Sequence, residues 1–161
     1  MNIIRSLNRS VLLLLLGAIA FAPALRAEIP PDQVKAASEI ALTTALLDKM
    51  DKFISAVSAD SAAKAELAEL DKDPAVSKDQ DAWAAAITSK CPKVSQHLKT
   101  AGITASDFTK GITAIMACAM SEEMAKSDNA AAKANAEFVA ANKDRAEKTF
   151  GSFMELSMPK P

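Results

Sequence analysis

Cysteine is the most reactive side chain in this 161-residue sequence, and it occurs twice, as Cys91 and Cys118. Their separation of 27 positions is far from the Cys-x-x-Cys spacing that is typical of redox pairs. In an exported chain, two cysteines usually form a disulfide because the compartment is oxidising. We therefore predict a structural disulfide between Cys91 and Cys118. Two buried thiols, and a redox or metal function, are the alternatives.

A row of methionines is the second feature with chemical potential. Met116, Met120 and Met124 recur every four residues, so on a helix their thioethers follow one face. Thioether sulfur can bind Cu(I), and His97, the one histidine of the sequence, could add an imidazole. Methionine in an Ala-rich helical core more often fills gaps, and Cys118 points about 160° away from Met120 on the same helix. We favour core packing, with no metal site.

Signatures of the common enzyme classes are absent from the sequence. It contains no G-x-S-x-G, no H-E-x-x-H, no phosphate-binding loop and no Cys-x-x-Cys-His haem attachment. Its paired carboxylates, such as Glu66 with Glu69, are interleaved with lysines, which is typical of solvated helix faces. We therefore predict a protein that is not an enzyme, with no catalytic residue and no cofactor.

The N-terminus has the three parts of a secretory signal peptide. The first nine residues carry two arginines and no acid, residues 11–22 are an uninterrupted apolar run, and Pro23 with small residues follows. A run of 12 apolar residues is too short for a membrane-spanning helix, which needs about 20. We predict a signal peptide at 1–27, with Ala24 as the alternative cleavage point, and a helical domain at 28–161. The protein is then exported, periplasmic or secreted, with no integral membrane segment after signal removal.

Charge argues against a nucleic-acid partner. Removing residues 1–27 takes away three arginines and no acid, so the formal net charge changes from −1 to −4. The remaining lysines are interspersed with acids and form no basic block, whereas phosphate binding needs clustered positive charge. We expect the partner to be a protein or a component of the cell envelope. The alternative function is a soft-metal or small-ligand carrier that uses the Met116/Met120 face and His97.

The chain after the signal predicts a single-domain, all-α bundle of five or six helices. Apolar residues make up 50% of the sequence and aromatic residues 4%, and no stretch shows the alternation of a strand. Apolar positions instead recur at helical spacing. The predicted helices cover about 31–57, 62–70, the stretch between Ser77 and Cys91, about 92–101, 105–126 and 130–156.

Local signals mark several of the helix ends. Ser77-x-x-Gln80 and Thr104-x-x-Asp107 have the spacing of N-terminal capping boxes, and Gly102 stands where a C-terminal glycine is expected. The helix after Gly102 has a bulky face and an opposite face of small residues that includes Cys118. A helix that is apolar on both sides is buried, so we place this one at the centre of the bundle.

Part of the chain resembles a group of small exported all-helical bacterial proteins with no assigned activity. The resemblance lies in Pro92-x-Val94, in the run 101–104 followed by Asp107-Phe108, and in the pattern from Asn135 to Asn142. It covers about residues 90–145 and consists of helix caps and core positions. The two cysteines are not part of it. The resemblance implies a helical architecture and no particular activity.

Overall fold

The computed structural model describes residues 29–157 except 71, 74, 75, 77 and 78. Eight α-helices and one 3₁₀ helix account for most of this part of the chain, and it contains no strand. The predicted all-α class is confirmed, but eight helices replace the predicted five or six. The α-helices are α1 (Pro31–Ser38), α2 (Thr44–Ala59), α3 (Ser61–Leu70), α4 (Gln80–Lys90), α5 (Pro92–Ala101), α6 (Ala105–Ala119), α7 (Ala130–Ala141) and α8 (Lys143–Ser157), and the 3₁₀ helix is Glu122–Lys126.

The predicted signal peptide at 1–27 lies outside the described residues. Within the described part, no helix combines the length and apolar character needed to cross a bilayer. The buried apolar side chains come from all eight helices and form one connected cluster. A single hydrophobic core therefore holds the described helices together.

The predicted helix 31–57 is divided between α1 and α2. The break falls at residues 39–43, where Thr43 takes an extended conformation and its side chain accepts a hydrogen bond from the Leu46 N–H. The apolar stripe gave no sign of this break because Leu42, inside it, is also buried. Helical spacing of apolar residues therefore continued across a segment that is not helical.

Asn135 of α7 fixes the connection between α1 and α2. It is only 3% exposed, and its Nδ2 donates to the backbone oxygens of Ala37 and Ile40, each at 2.7 Å. Its Oδ1 accepts from the Leu42 N–H at 2.8 Å. Backbone groups freed by the break are thus satisfied by one side chain, as buried polar groups require.

Helix α6 is buried on opposite sides, as expected. It packs against α1, α4 and α7, and its buried residues include Phe108 on one side and Cys118 on the other. A Cβ atom added at Gly111 would lie 2.9 Å from the Met50 sulfur. The small face of α6 therefore gives room to the Met50 side chain of α2 at this glycine.

Two predicted caps of this region are confirmed and one is wrong. The Thr104 side chain accepts from the Asp107 N–H at 3.0 Å, and Gly102 has a φ of 71°, the left-handed conformation that favours glycine. Helix α4, in contrast, begins at Gln80, and Asp79 is the residue whose side chain caps it. Asp79 therefore takes the place of the predicted cap Ser77, which lies outside the described residues.

Two other predicted helices end early. The helix expected over 105–126 stops at Ala119, and the 3₁₀ helix that follows carries Met124 into the core, where it is fully buried. The helix expected over 130–156 is interrupted at Asn142, which has non-helical φ and ψ angles of −122° and 32°. Because the chain breaks at this residue, α8 is a separate helix, and it packs against α2.

Candidate functional site

The predicted disulfide is wrong. Cys91 and Cys118 are both buried, and they are thiols that are not bonded to each other. Two contacts show that helices α4 and α6 run antiparallel. Gln80 at the start of α4 hydrogen-bonds to Thr113, whereas Trp83, farther along α4, stacks near Phe108, which comes earlier in α6.

The antiparallel pairing explains why the two cysteines are far apart. Cys91 follows the C-terminal end of α4, and Cys118 lies near the C-terminal end of α6. At 1.5 Å per residue these opposite ends are about 20 Å apart, whereas a disulfide needs Cα atoms within about 7 Å. A disulfide would require the C-terminal end of α6 to lie at the corner of Cys91, but α6 pairs antiparallel along α4 instead.

The environment of the cysteines favours packing over reactivity. Burial raises the pKa of the Cys118 thiol to about 11. At neutral pH this thiol is protonated and a poor nucleophile. The Cys91 sulfur lies 3.8 Å from the backbone oxygen of Glu66 on α3. Both residues therefore contribute to the interior of the bundle.

His97 is held away from the methionines. It lies on α5, which packs against α2, α3 and α4, and its Nε2 is 2.9 Å from the Asp60 Oδ2. Asp60 stands between α2 and α3, and its Oδ1 accepts from the N–H groups of Ala62 and Ala63. The bond to His97, followed by these backbone bonds, lowers the pKa of Asp60. His97 and Asp60 therefore join three helices at one corner.

The methionine row is divided by the structure. Met124 is buried in the core, Met116 is half-buried, and Met120 is 43% exposed. The Met120 N–H donates to the Met116 oxygen at 3.0 Å, so these two side chains lie one helical turn apart. Only Met116 and Met120 remain of the predicted three-membered face, and His97 does not line the same surface.

Met116 and Met120 line a depression between α1, α4 and α6, which we call the notch. Its volume is about 190 Å³. Alanine and methionine side chains supply its apolar part, and carboxylate, amide and hydroxyl groups supply the rest. The residues that form the notch are Asp32, Gln33 and Ala36 of α1, Gln80 of α4, and Thr113, Met116, Ala117 and Met120 of α6.

Polar contacts fix the walls of the notch. Gln80 donates a side-chain hydrogen bond to the Thr113 hydroxyl, which ties α4 to α6. Asn135 holds the end of α1 through Ala37. The notch is thus built on three anchored helices. The sequence indicated Met116 and Met120 but gave no sign of the residues from α1 and α4, because they meet α6 only through tertiary packing.

A second depression lies between α4 and the start of α6. It measures about 300 Å³, is more open to solvent, and is lined by residues that include Ala84, Ala85, Thr88 and Ser106. It contains one carboxylate, that of Asp81, and no basic side chain among its lining residues. This shallow surface offers neither an apolar anchor nor a pair of titratable groups.

The strongest polar clusters of the bundle connect helices. Arg145 of α8 donates to Asp48 and Asp51 of α2, and these two bonds raise the pKa of the guanidinium further. The hydroxyl of Thr149, itself buried, donates to Asp51. No local pattern indicates these acidic partners, because they are about 95 positions away in the sequence.

Glu66 has a role that its sequence context did not suggest. It was expected to be a solvated carboxylate, but it accepts from the backbone N–H groups of Lys93 and Val94 at 2.9 and 3.1 Å. It therefore caps α5, whose own N-cap residue Cys91 makes no capping bond.

Among the described residues, no group of three or more His, Cys, Asp and Glu side chains is arranged to hold a metal ion. Comparison of the chain with protein-family models, curated proteins and solved structures gave no significant match. The notch is the site with the clearest recognition chemistry.

Proposed function

We propose that this protein is an exported, non-enzymatic helical domain that binds a partner protein through the notch. One observation carries the proposal. Met120 is the large apolar side chain that stands exposed in the described part of the chain, and it lies beside Met116 on an apolar wall. Methionine is enriched in protein interfaces relative to the rest of the protein surface.

The size of the notch supports a protein partner over a small ligand. Its volume of about 190 Å³ is below the roughly 300–1,000 Å³ of small-molecule pockets. It has room for one or two side chains inserted from outside. Methionine suits such a contact because its unbranched thioether chain adapts to the shape of what it meets.

The positions of the reactive side chains support a role without catalysis. His97 is bonded to Asp60 at a helix corner, and neither residue lines either depression. The Cys118 thiol is buried and protonated at neutral pH. A general base needs a reacting group within hydrogen-bond reach, and the notch brings no such pair together.

Cross-linking tests the notch as the binding surface. A photoreactive benzophenone side chain at position 120 should give a discrete adduct with one envelope protein. Met116→Lys should abolish the adduct, because it places a charge in the apolar wall, while circular dichroism shows an unchanged helix content. The same photoreactive group at Gln96, an exposed position on α5, is the matched control and should give none. Equal adducts from both positions, or an adduct that survives Met116→Lys, would refute the proposal.

Export is tested by the mass of the protein in the cell envelope. Cleavage after Ala27 leaves a chain that starts at Glu28, and intact-mass analysis distinguishes this from cleavage after Ala24. The expectation follows from the apolar run 11–22 and the small residues after it. Protein that retains Met1 would contradict the signal peptide and, with it, the proposed location.

The one-turn spacing of Met116 and Met120 supports a second candidate function, a soft-metal carrier. Two thioethers on one exposed helical turn can bind Cu(I), or Ag(I) as its redox-stable substitute. Such a carrier would use the thioethers without His97. Stoichiometric Ag(I) binding that is lost in Met116→Leu/Met120→Leu would favour this function. Binding that survives the double substitution would exclude this site.

A further inference from the structure

We infer that the segment docking in the notch is a basic, amphipathic stretch of the partner protein. The inference rests on the proposed function, since it describes the chemistry of a partner at that same site. Lysine or arginine side chains of the segment lie at the rim of the notch, and an adjacent apolar side chain enters it.

One carboxylate lines the notch and a second stands next to its lining. Asp32 lines it from α1. Asp79, the N-cap of α4, directly precedes Gln80, the residue that α4 contributes to the lining, whereas Asp81 lines the second depression. The nearest basic residues on α1 and α6, Lys35 and Lys110, are not among the lining residues. Lys35 is moreover 3.7 Å from the Glu39 carboxylate, which offsets its charge.

The helix dipoles change this balance only in part. The N-terminal ends of α1 and α4 reach the notch, and each contributes about half a positive charge. The C-terminal end of α6 contributes about half a negative charge, and no basic residue stands in its last turn. The carboxylates of Asp32 and Asp79, together with the C-terminal end of α6, outweigh the two helix N-termini, so the notch attracts cations. An acidic segment or an anionic membrane surface would be repelled.

The apolar wall sets the second requirement. Met116, Ala117 and the C-cap residue Met120 present thioether and methyl groups at the C-terminal end of α6. A purely charged peptide gains nothing from this wall, whereas an apolar side chain next to a lysine contacts the wall and the rim together. Complementary charge then sets the specificity and the rate of association, and apolar contact holds the complex.

Methyl NMR on methionine tests the inference at the notch itself. The protein is labelled with ¹³C at the methionine ε-methyl groups, and Met116→Leu and Met120→Leu assign the two signals. The fully buried Met50 and Met124 are internal references. Three designed helical peptides of about 18 residues share one leucine face and carry lysine, glutamate or serine on the other.

The lysine–leucine peptide should shift the Met116 and Met120 signals saturably and leave those of Met50 and Met124 unchanged. Its affinity should exceed that of the glutamate–leucine peptide by about tenfold and should fall as salt screens the charges. Asp32→Asn should weaken binding about threefold. Asp144→Asn is the matched control, since both aspartates stand in the first turn of a helix and Asp144 lies on α8, outside the notch. It should have no effect.

The other outcomes separate the two proposals. Equal affinity of all three peptides with shifts at Met116 and Met120 would overturn the charge inference and leave the notch as a binding site. Absence of a shift at Met116 and Met120 with every peptide would overturn both proposals. Lysine–leucine binding that is equally sensitive to Asp32→Asn and Asp144→Asn would show general electrostatic attraction and overturn the inference. Shifts caused by anionic vesicles would replace the protein partner by a membrane.

Discussion

Asn135 is a buried side chain whose hydrogen-bonding groups all act across the bundle. Both N–H bonds of its amide and the amide oxygen are used by the backbone around the break between α1 and α2. A buried amide is costly without partners, and so are the backbone groups that it satisfies. The position of α1, which forms one wall of the notch, therefore depends on one residue of α7.

Asn135→Ala should lower the free energy of unfolding by about 2–4 kcal/mol, because three backbone groups, two of them in fully buried hydrogen bonds, lose their partner. Urea unfolding measures the loss. Asn142→Ala is the matched control, since Asn142 is half-buried and its side chain makes one bond, to the Phe138 oxygen of the same helix. Its loss should stay below about 1 kcal/mol. Equal losses for the two variants would show that the three hydrogen bonds of Asn135 between helices contribute no more to stability than the single local bond of Asn142.

Among the helices, the corner at Asp60 shows how charge and capping combine. The Asp60 carboxylate caps α3 with one oxygen and contacts His97 of α5 with the other. Because the contact with His97 lowers its pKa, the folded state favours the charged carboxylate. Stability from this group is present above the unfolded pKa and is lost as the pH falls through the lower folded pKa.

Asp60→Asn separates the charge from the cap. Asparagine caps helices as well as aspartate does, so the variant keeps the cap of α3 and loses only the charge. At pH 5 the wild type should be the more stable protein. The difference should shrink as the pH falls below about 4, where the wild-type carboxyl also becomes neutral. Urea unfolding at a series of pH values measures this difference, and one that stays constant down to pH 2.5 would contradict the role of the charge.

Helix type and most helix ends could be predicted because they depend on local signals. Thr104 and Gly102 act through hydrogen bonds or dihedral angles within a few residues, and both behave as expected. The breaks at 39–43 and at Asn142 could not be predicted, because the apolar stripes continue across them and the distant Asn135 stabilises the first. The same limit applies to the site. One helical turn placed Met116 beside Met120, but only packing brings Asp32 to them.

At the centre of the Ala-rich bundle, aromatic side chains from four helices form one compact cluster. Phe108 of α6 lies 4.6 Å from Phe53 of α2 and 5.4 Å from Phe153 of α8, measured between ring centroids. Trp83 of α4 joins this cluster at 6.5 Å from Phe108. Four helices thus meet at one group of rings. Aromatic side chains bury a large apolar area each, which the many alanines of this chain do not.

The single connected core predicts one cooperative unfolding transition. Trp83 reports on the aromatic cluster through its fluorescence, and circular dichroism reports on all helices together. The two signals should therefore give the same midpoint in urea. Phe153→Leu should move both midpoints down together, since it removes an aromatic contact of Trp83. Two separate midpoints would show that the helices around Trp83 unfold as an independent unit.

The longest-range polar ties of the first two helices lead to the last third of the chain. Asn135, Arg145 and Thr149 bond to partners that precede them by 93 to 98 residues. During synthesis the N-terminal segment emerges long before these partners, so these hydrogen bonds cannot form until the chain is almost complete. Contacts of such long range also form slowly. The polar attachment of α1 through Asn135 is thus among the last contacts to form while the chain is made.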